Sequence, residues 1–434
     1  MAFRFLHAAD IHLGYEQYNH KERYNDFARA FEYLVEDAIT RKVDFLLLAG
    51  DLFNKSALDP RTLLQATDLL RQLREAGIPV LAVEGNHDRP SCNPLGGEPF
   101  SWLDYLSALD LLILLAPTVR EGRVVLEPWQ GGQGTYIDLP CGARVVGMKY
   151  YGASTPRMVE EVVKGLSALS GPRPPFTILM LHAGLQGILD NYACNLTRNQ
   201  LDALRPHVDY LALGHIHKPF VQDDWLYNPG SLETNGTDEV QWDERGYFVV
   251  EVDPARRPAH RVTHIRSRRR AFERLVFDVG PYDTPQRLYA ALERRLRAEA
   301  TPAKVSCKPV VELTLVGTWL FDQADLDLER VEELVQEIWN PLLCRIKDGT
   351  AARELGALPD EALLSRAEIE RRVLRELVEL DARRLGQGER WAQMVLSLKR
   401  LALEGRPPEE IVTELRAFVR DAPQEDARDV AHGP

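Results

Sequence analysis

Asp10 with His12, Asp51, Asn86 with His87 and Asp88, His182, and His215 with His217 share one sequence context. Each group closes or directly follows a short apolar run, in "FRFLHAADIH", "VDFLLLAGDLF", "IPVLAVEGNHD", "FTILMLHAGL" and "VDYLALGHIHK". The donors are Asp, Asn and His, with no Cys among them. Oxygen and imidazole donors suit Mn, Fe, Zn or Mg better than they suit a thiolate-rich structural zinc site. One ion takes about four to six ligands, so a single tetrahedral site leaves several donors idle. Two ions sharing a bridging carboxylate use nearly all of them. Ion pairs about 3.5–4 Å apart recur in phosphate-ester hydrolysis, where they bind phosphate oxygens, activate a water and stabilise the leaving oxygen. Taken singly, Asp10 and Asp51 read as turn or cap residues and His182 as a core histidine. Independent causes of that kind do not predict the same placement at every run.

The positioning elements follow from the apolar runs. Short continuous apolar segments mark strands covered on both faces. Helical patterns lie between the early ones, at Asp26 to Thr40 and Arg61 to Ala76. Alternating strands and helices imply an α/β layered domain whose ligands bind beyond the carboxyl ends of the strands. His215 and His217, two apart on an extended segment, face the same side. "RVVLEPW", "TYIDLP", "ARVVGMKYYG" and "GYFVVEVD" are further strands, expected in a second sheet layer of that domain. The basic strip "RVTHIRSRRR" follows, and then a β-α-β-α-β pattern from Ala271 to Gly349. "DGTAARELGALPDEAL" reads as a linker. Beyond it come helical stripes at Ile369, Val373, Leu377 and Leu380, at Trp391, Val395, Leu398 and Ala402, and at Ile411, Leu415 and Phe418. The expected organisation is 1–270 for the metal-bearing domain, 271–349 for a small capping domain, 350–364 for the linker, 365–420 for C-terminal helices and 421–434 for a disordered tail.

The 434-residue chain carries a net charge of −12, which disfavours a dedicated nucleic-acid binder unless a local basic strip or bound cations offset it. Its cysteines are scattered, with no CxxC pair, and no apolar stretch is long enough to span a bilayer. "MAFRFLHAAD" lacks the zones of a signal peptide, so the expected location is the cytoplasm, with no membrane partner. "GDLFNKS" lacks the second glycine of a nucleotide loop, so any ATP dependence would come from another chain. His7, His20, His207, His260, His264 and His432 lack the strand-end context and read as structural.

In that order, "DIH", "GDLF", "GNHD", "LHAG" and "GHIH" resemble the five motifs of calcineurin-like metallophosphoesterases. More specifically, "HAADIHLG", "LLLAGDLFN", "VEGNHDRP", "GHIHKP" and "YNPGSLE" resemble the SbcD-type DNA repair nucleases, bacterial counterparts of the meiotic-recombination-eleven nuclease. The resemblance implies a layered α/β metallophosphoesterase sheet sandwich with flanking helices, a small α+β capping domain and C-terminal helices. It implies that Asp10, His12, Asp51 and His217 hold one metal and Asp51, Asn86, His182 and His215 the second, with Asp51 bridging. His87 would be the acid assisting the leaving 3′ oxygen, and Asp88 would orient His87 or cap its turn. The cofactors would be two divalent ions, Mn²⁺ first and Mg²⁺ as the alternative.

The implied activity is exonucleolytic and endonucleolytic DNA hydrolysis by a two-metal-activated water, acting in double-strand-break repair in the cytoplasm at the nucleoid. Implied partners are DNA ends and hairpins, an SbcC-type ABC/SMC-like ATPase clasped by the C-terminal helices, and a second copy meeting through the helices near Leu63–Leu73 and Trp102–Leu112. Asn54 departs from the pattern of many archaeal and eukaryotic members, which carry histidine there. It can hydrogen-bond a phosphate or DNA end but cannot act as an acid. Arg268, Arg269 and Arg270 are candidate DNA-backbone contacts, with a solvated interdomain segment as the equal alternative. A phosphoesterase of small phosphodiesters or monoesters would share every ligand, and "YNPGSLE" with the extra domains speaks against it. A scaffold with a vestigial site would show gaps in the ligand set.

Overall fold

The structure, a computed structural model, describes residues 2–90, 100–120, 123–188, 196–242, 244–351, 366–379, 387–403 and 406–420. The expected linker from 352 onward, the expected tail 421–434, Leu380 and His432 lie outside the described residues. The chain divides into two compact units, Met1–Thr350 and Ala351–Pro434.

The first unit opens with β1 (Phe3–Ala8), α1 (Lys21–Arg41), β2 (Phe45–Leu48), α2 (Pro60–Glu75), β3 (Val80–Ala82), α3 (Trp102–Ala108) and β4 (Ile113–Leu114). A hairpin, β5 (Thr118–Arg120) and β6 (Arg123–Val125), leads to β7 (Tyr136–Asp138), β8 (Ala143–Met148), α4 (Thr155–Ala168), β9 (Phe176–His182), α5 (Arg198–Asp202) and β10 (Tyr210–Gly214). The short strands β11 (Phe220–Gln222) and β12 (Leu226–Asn228) precede β13 (Gly246–Val252) and β14 (His260–Arg266). One six-stranded sheet has the order β14-β13-β1-β2-β3-β4 and another β11-β12-β10-β9-β8-β7. Within them β1, β2, β3 and β4 run parallel, as do β8, β9, β10 and β12.

Strand alternation sorts the core into layers. Along β1 and β2, Phe3, Phe5, Phe45 and Leu47 enter the core shared with Val145, Phe176, Ile178, Met180 and Tyr210 of the other sheet. Leu6, Ala8, Leu46 and Leu48 face the opposite way, onto Phe31, Leu34, Leu70 and Leu73 of α1 and α2. The second sheet does the same with Val159, Val162 and Leu201 of α4 and α5. The result is helix, sheet, sheet, helix, as expected for runs covered on both faces. The Phe5 and Phe45 rings stack with centroids 4.9 Å apart in the middle layer, where losing one ring costs about 3–5 kcal/mol. This layer matters to function because it holds the carboxyl ends of β1, β2, β3, β9 and β10 side by side. The first helix begins five residues earlier than its apolar pattern suggests, because the His20 side chain caps it by accepting from the Glu22 amide at 3.2 Å.

The β-α-β-α-β pattern forms a third sheet, β15 (Phe272–Asp278), β16 (Val310–Thr318) and β17 (Leu343–Ala351), in that order. Against it pack α6 (Pro285–Glu299) and α8 (Leu328–Trp339), with the short α7 (Pro302–Ser306) between them in sequence. Its own core joins Leu288, Leu292, Val331, Leu334 and Trp339 to Leu275, Phe277, Leu313 and Leu315. The second unit holds α9 (Arg366–Glu379), α10 (Gly388–Leu403) and α11 (Pro408–Arg420), with Ala392 of α10 fully buried. Trp391 meets Phe418 edge-on with ring centroids 4.8 Å apart.

Candidate metal centre

The motif residues stand where strands have just ended and the chain must turn sharply. Asp51, Asn86 and His215 each follow a glycine. At all three glycines a side chain has no room: a Cβ on Gly50 would lie 2.1 Å from His182 Nδ1, one on Gly85 2.0 Å from Asp51 Oδ1, and one on Gly214 2.1 Å from the Ala49 carbonyl oxygen. Asp10, His12, Asp51 and His215 themselves hold φ of +54°, +53°, +54° and +93°. Left-handed backbone at non-glycine residues costs on the order of 1–3 kcal/mol each and persists only where neighbours over-determine it. Backbone bonds supply that constraint, with Asp10 N–H to Gly50 O (3.1 Å), His12 N–H to Asp51 O (3.1 Å) and Leu13 N–H to Leu52 O (2.9 Å). The His215 amide donates to the Asp10 carboxylate at 3.0 Å, tying the two sheets together at the site.

Two groups of donors result. In the first, His12 Nε2 and His217 Nε2 lie 3.1 Å apart, and His217 Nε2 is 4.0 Å from Asp10 Oδ1. In the second, Asn86 Oδ1 lies 3.0 Å from His182 Nε2 and 2.9 Å from His215 Nδ1. Asp51 Oδ2 faces both groups, 4.0 Å from His12 Nε2 and 3.3 Å from His182 Nε2. Ligand atoms of Asp10, His12 and His217, and separately of Asp10, Asp51 and His182, lie within 4.8 Å of one another.

Tautomers decide what these atoms offer. His182 Nδ1 sits 2.8 Å from the Ala49 carbonyl, and His217 Nδ1 sits 2.5 Å from Glu239 Oε1. A carbonyl and a carboxylate can only accept, so both Nδ1 atoms carry a proton, and Nε2 is the atom each ring offers to a cation when that cation takes the place of its second proton. In the neutral rings, His217 Nε2 then faces His12 Nε2 at 3.1 Å and His182 Nε2 faces the Asn86 amide oxygen at 3.0 Å, so nitrogen and oxygen donors converge in each group. A cation is what such an arrangement fits, and the donor set suits a hard or borderline divalent ion.

The electrostatics agree. Burial holds His12 and His215 neutral, each with its pKa pushed down to about 3, which is the form that donates to a metal. At His182, burial opposes the charged ring but Asp51 and Asp10 outweigh it and raise the pKa to about 9. Asp51 is buried, yet His182 and His12 hold its carboxyl well below the usual range. This pocket therefore favours positive charge beside Asp51. Asp10 is pushed up to about 6 by burial, with His217 and His182 pulling it back.

The remaining expected site residues are placed as follows. His87 is exposed, with Nδ1 2.6 Å from the Asn54 carbonyl and its amide donating to Asp51 Oδ1 at 2.8 Å. Its ring meets His12 edge-on at 4.9 Å. The Asn54 side chain is thus not what acts on His87; its backbone carbonyl is. Asp88 has no bond to His87. It is buried and accepts from the Leu52, Phe53 and Gly85 amides at 3.3, 3.0 and 3.0 Å, so it ties two strand-end loops together and does not orient the histidine. Burial and the nearby Asp51 push its pKa up to about 7.

The basic strip divides. Arg268 is exposed with its guanidinium 5.3 Å from the Tyr33 ring centroid. Arg269 is half-buried, and Glu233 is the acidic group acting on its guanidinium. Arg270 grips both oxygens of the buried Asp26, at 2.6 and 2.9 Å, and also donates to the Lys308 carbonyl. A guanidinium so engaged is a tie between the start of the third sheet and α1, and it is not free to clamp a phosphate.

Several residues near the site had no sequence signal. Glu239 and Arg245 stand behind His217, in a stretch without an apolar run. Arg23 is fully buried and pairs with Asp26 and Glu233. Tyr150 lines the His182 and His215 side, with centroids 6.0 and 5.5 Å away. Unlike the other three, it stands two residues past an apolar strand, β8, and that strand-end position is its sequence signal.

Comparison with known proteins adds kinship. The family described as calcineurin-like phosphoesterase matches residues 3–219. The chain is 35% identical over 239 residues to the DNA double-strand break repair protein Mre11 of Archaeoglobus fulgidus, covering 53% of this chain and 50% of that protein. It is 28% identical over 329 residues to the Mre11 of Aeropyrum pernix, covering 72% and 73% respectively. It is 31% identical over 342 residues to the Mre11 of Haloferax volcanii, covering 75% and 68%. The chain thus spans about half the length of the first of these and more of the other two.

Proposed function

This chain belongs to the calcineurin-like phosphoesterase family, within which it groups with the Mre11 proteins, and from that premise we propose that it is a metal-dependent DNA nuclease of double-strand-break repair. The observation that carries the reading is the pair of imidazole and oxygen donor groups meeting at Asp51. Two divalent ions fit there, with Asp10, His12 and His217 around one, Asn86, His182 and His215 around the other, and Asp51 between. Manganese is the first choice and magnesium the alternative. When bound, such ions neutralise phosphate charge and make water acidic enough to attack. The chain's own residues do the rest. The Asn54 carbonyl accepts from His87 Nδ1–H and fixes the ring, so His87 would act as an acid in its imidazolium form, passing the Nε2 proton to the departing 3′ oxygen and becoming the neutral Nδ1–H ring. Arg268 is the member of the basic strip exposed for a backbone phosphate, and Arg269 and Arg270 are structural.

The proposed setting is the nuclease subunit of an SbcCD-like complex in the cytoplasm at the nucleoid. Among the described residues, no helix is long and apolar enough to cross a membrane. The helical second unit exposes Val373, Leu377, Val395, Val412, Leu415 and Val419, an apolar supply suited to clasping the base of an SbcC-type ATPase. Leu64 on α2, Tyr105 on α3 and Leu109 just beyond α3 are exposed, while the opposite faces of these helices fill the core, which suits a homodimer. Retained ATPase binding after deletion of 356–434 would remove the first idea, and a monomer in sedimentation at micromolar concentration the second.

The activity itself is tested with the full-length protein, Mn²⁺ or Mg²⁺, and linear or hairpin DNA, alone and with the ATPase. The expected result is metal-dependent shortening or nicking that a chelator stops. Hydrolysis of a generic small phosphodiester with DNA untouched in every condition would establish the small-ester phosphoesterase instead.

A further inference from the structure

His217 can serve a metal through Nε2 only if its other nitrogen keeps the proton, and the surroundings of Nδ1 determine that. Glu239 Oε1 lies 2.5 Å from Nδ1. The Glu239 carboxylate is itself held. Arg245 donates to Oε2 at 2.6 Å and to the Glu239 carbonyl at 2.6 Å, and the Asn235 amide donates to Oε2 at 3.0 Å. Arg245 is fully buried and is further tied to Ser231 Oγ and the Glu233 carbonyl. One residue pair away, Thr237 meets Lys347 of β17 at 3.3 Å, so the turn carrying Glu239 is pinned from the third sheet as well. His182, by contrast, has its Nδ1 fixed by the backbone carbonyl of Ala49.

We infer that Glu239 is the positioning residue of the first metal group, fixing the tautomer and ring angle of His217 so that Nε2 points at the ion, with Arg245 setting the carboxylate. A carboxylate behind a ligating histidine orients the ring and raises its basicity, and losing one typically weakens metal affinity by about 10–100-fold. The competing view is that Glu239 only neutralises the buried Arg245. The two differ in what a neutral acceptor can do. Glutamine keeps an oxygen for the Nδ1 proton but gives Arg245 no charge.

The inference rests on the proposed metal binding, and the test separates the two. Mn²⁺ titration by calorimetry, with electron paramagnetic resonance of the loaded protein, is run on wild type, Glu239→Ala, and the double variants Glu239→Gln/Arg245→Met and Glu239→Ala/Arg245→Met. The expected result is two ions in wild type, with one of them weakened about 10–100-fold in Glu239→Ala and the other unchanged. Glu239→Gln, made in the Arg245→Met background so that its amide nitrogen meets no guanidinium donor, should recover most of that loss. Glu239→Ala/Arg245→Met, which leaves no unpaired buried guanidinium, should keep its fold and bind like Glu239→Ala. Wild-type affinity for both ions in Glu239→Ala/Arg245→Met would overturn the positioning role and leave Glu239 as the partner of Arg245. A wild type that binds no ion would instead overturn the proposed metal chemistry.

Discussion

Asp51→Asn should cost the protein tight binding of both divalent ions, whereas Asp10→Asn should weaken one. Asp51 is the acid whose oxygen faces both imidazole groups, at 4.0 Å from His12 and 3.3 Å from His182. At about 4 Å and an effective dielectric near 20, each unit of opposite charge contributes about 4 kcal/mol, or about 10³ in affinity. The amide preserves shape while removing charge. Its oxygen can still accept the His87 amide, now at 2.8 Å from Oδ1, so melting temperature should change little. DNA hydrolysis should fall with metal content, by about 10³-fold or more at micromolar metal. Elemental analysis after gel filtration reads the first effect and single-turnover hydrolysis the second. Two ions retained in Asp51→Asn would mean that the clusters load independently and that Asp51 does not bridge.

What the sequence made legible was whatever a strand end carries. An apolar run that stops at Gly50, Gly85 or Gly214 announces a buried parallel strand, and the next residue must sit at the carboxyl edge of the sheet. That logic places Asp51, Asn86 and His215 at the sheet edge from sequence alone, and adjacent register brings His182 opposite Gly214. The third sheet was legible for a related reason, since Leu288, Leu292 and Leu296 keep helical spacing between two apolar strands. Partners held by loops left no such trace. Glu239 acts on His217 from a short turn whose composition is that of any polar loop. Arg270 read as free charge because its partner Asp26 is 244 residues away and itself sits in a helix pattern. A backbone carbonyl has no residue type at all, which is why the contact from Asn54 to His87 leaves no trace in the sequence.

That last point gives the second large effect. His87→Ala should lower the turnover number on DNA by about 10²–10⁴-fold, the usual contribution of a positioned acid, while Mn²⁺ content and melting temperature stay close to wild type. The ring is exposed and fills no core, so its removal leaves no cavity. Asn54→Ala should be nearly silent by comparison. It keeps the carbonyl that holds Nδ1 at 2.6 Å and the amide that donates to the Leu13 carbonyl at 3.0 Å. If Asn54→Ala instead matched His87→Ala, the amide side chain would be touching substrate and the carbonyl account would fail. If His87→Ala lost an ion, its place within 4.8 Å of His12 and Asp51 would make it a ligand and not an acid. The two variants together therefore separate proton transfer, ligation and substrate contact at one corner of the site. That corner is where a polar residue standing three positions after Asp51 acts through its main chain.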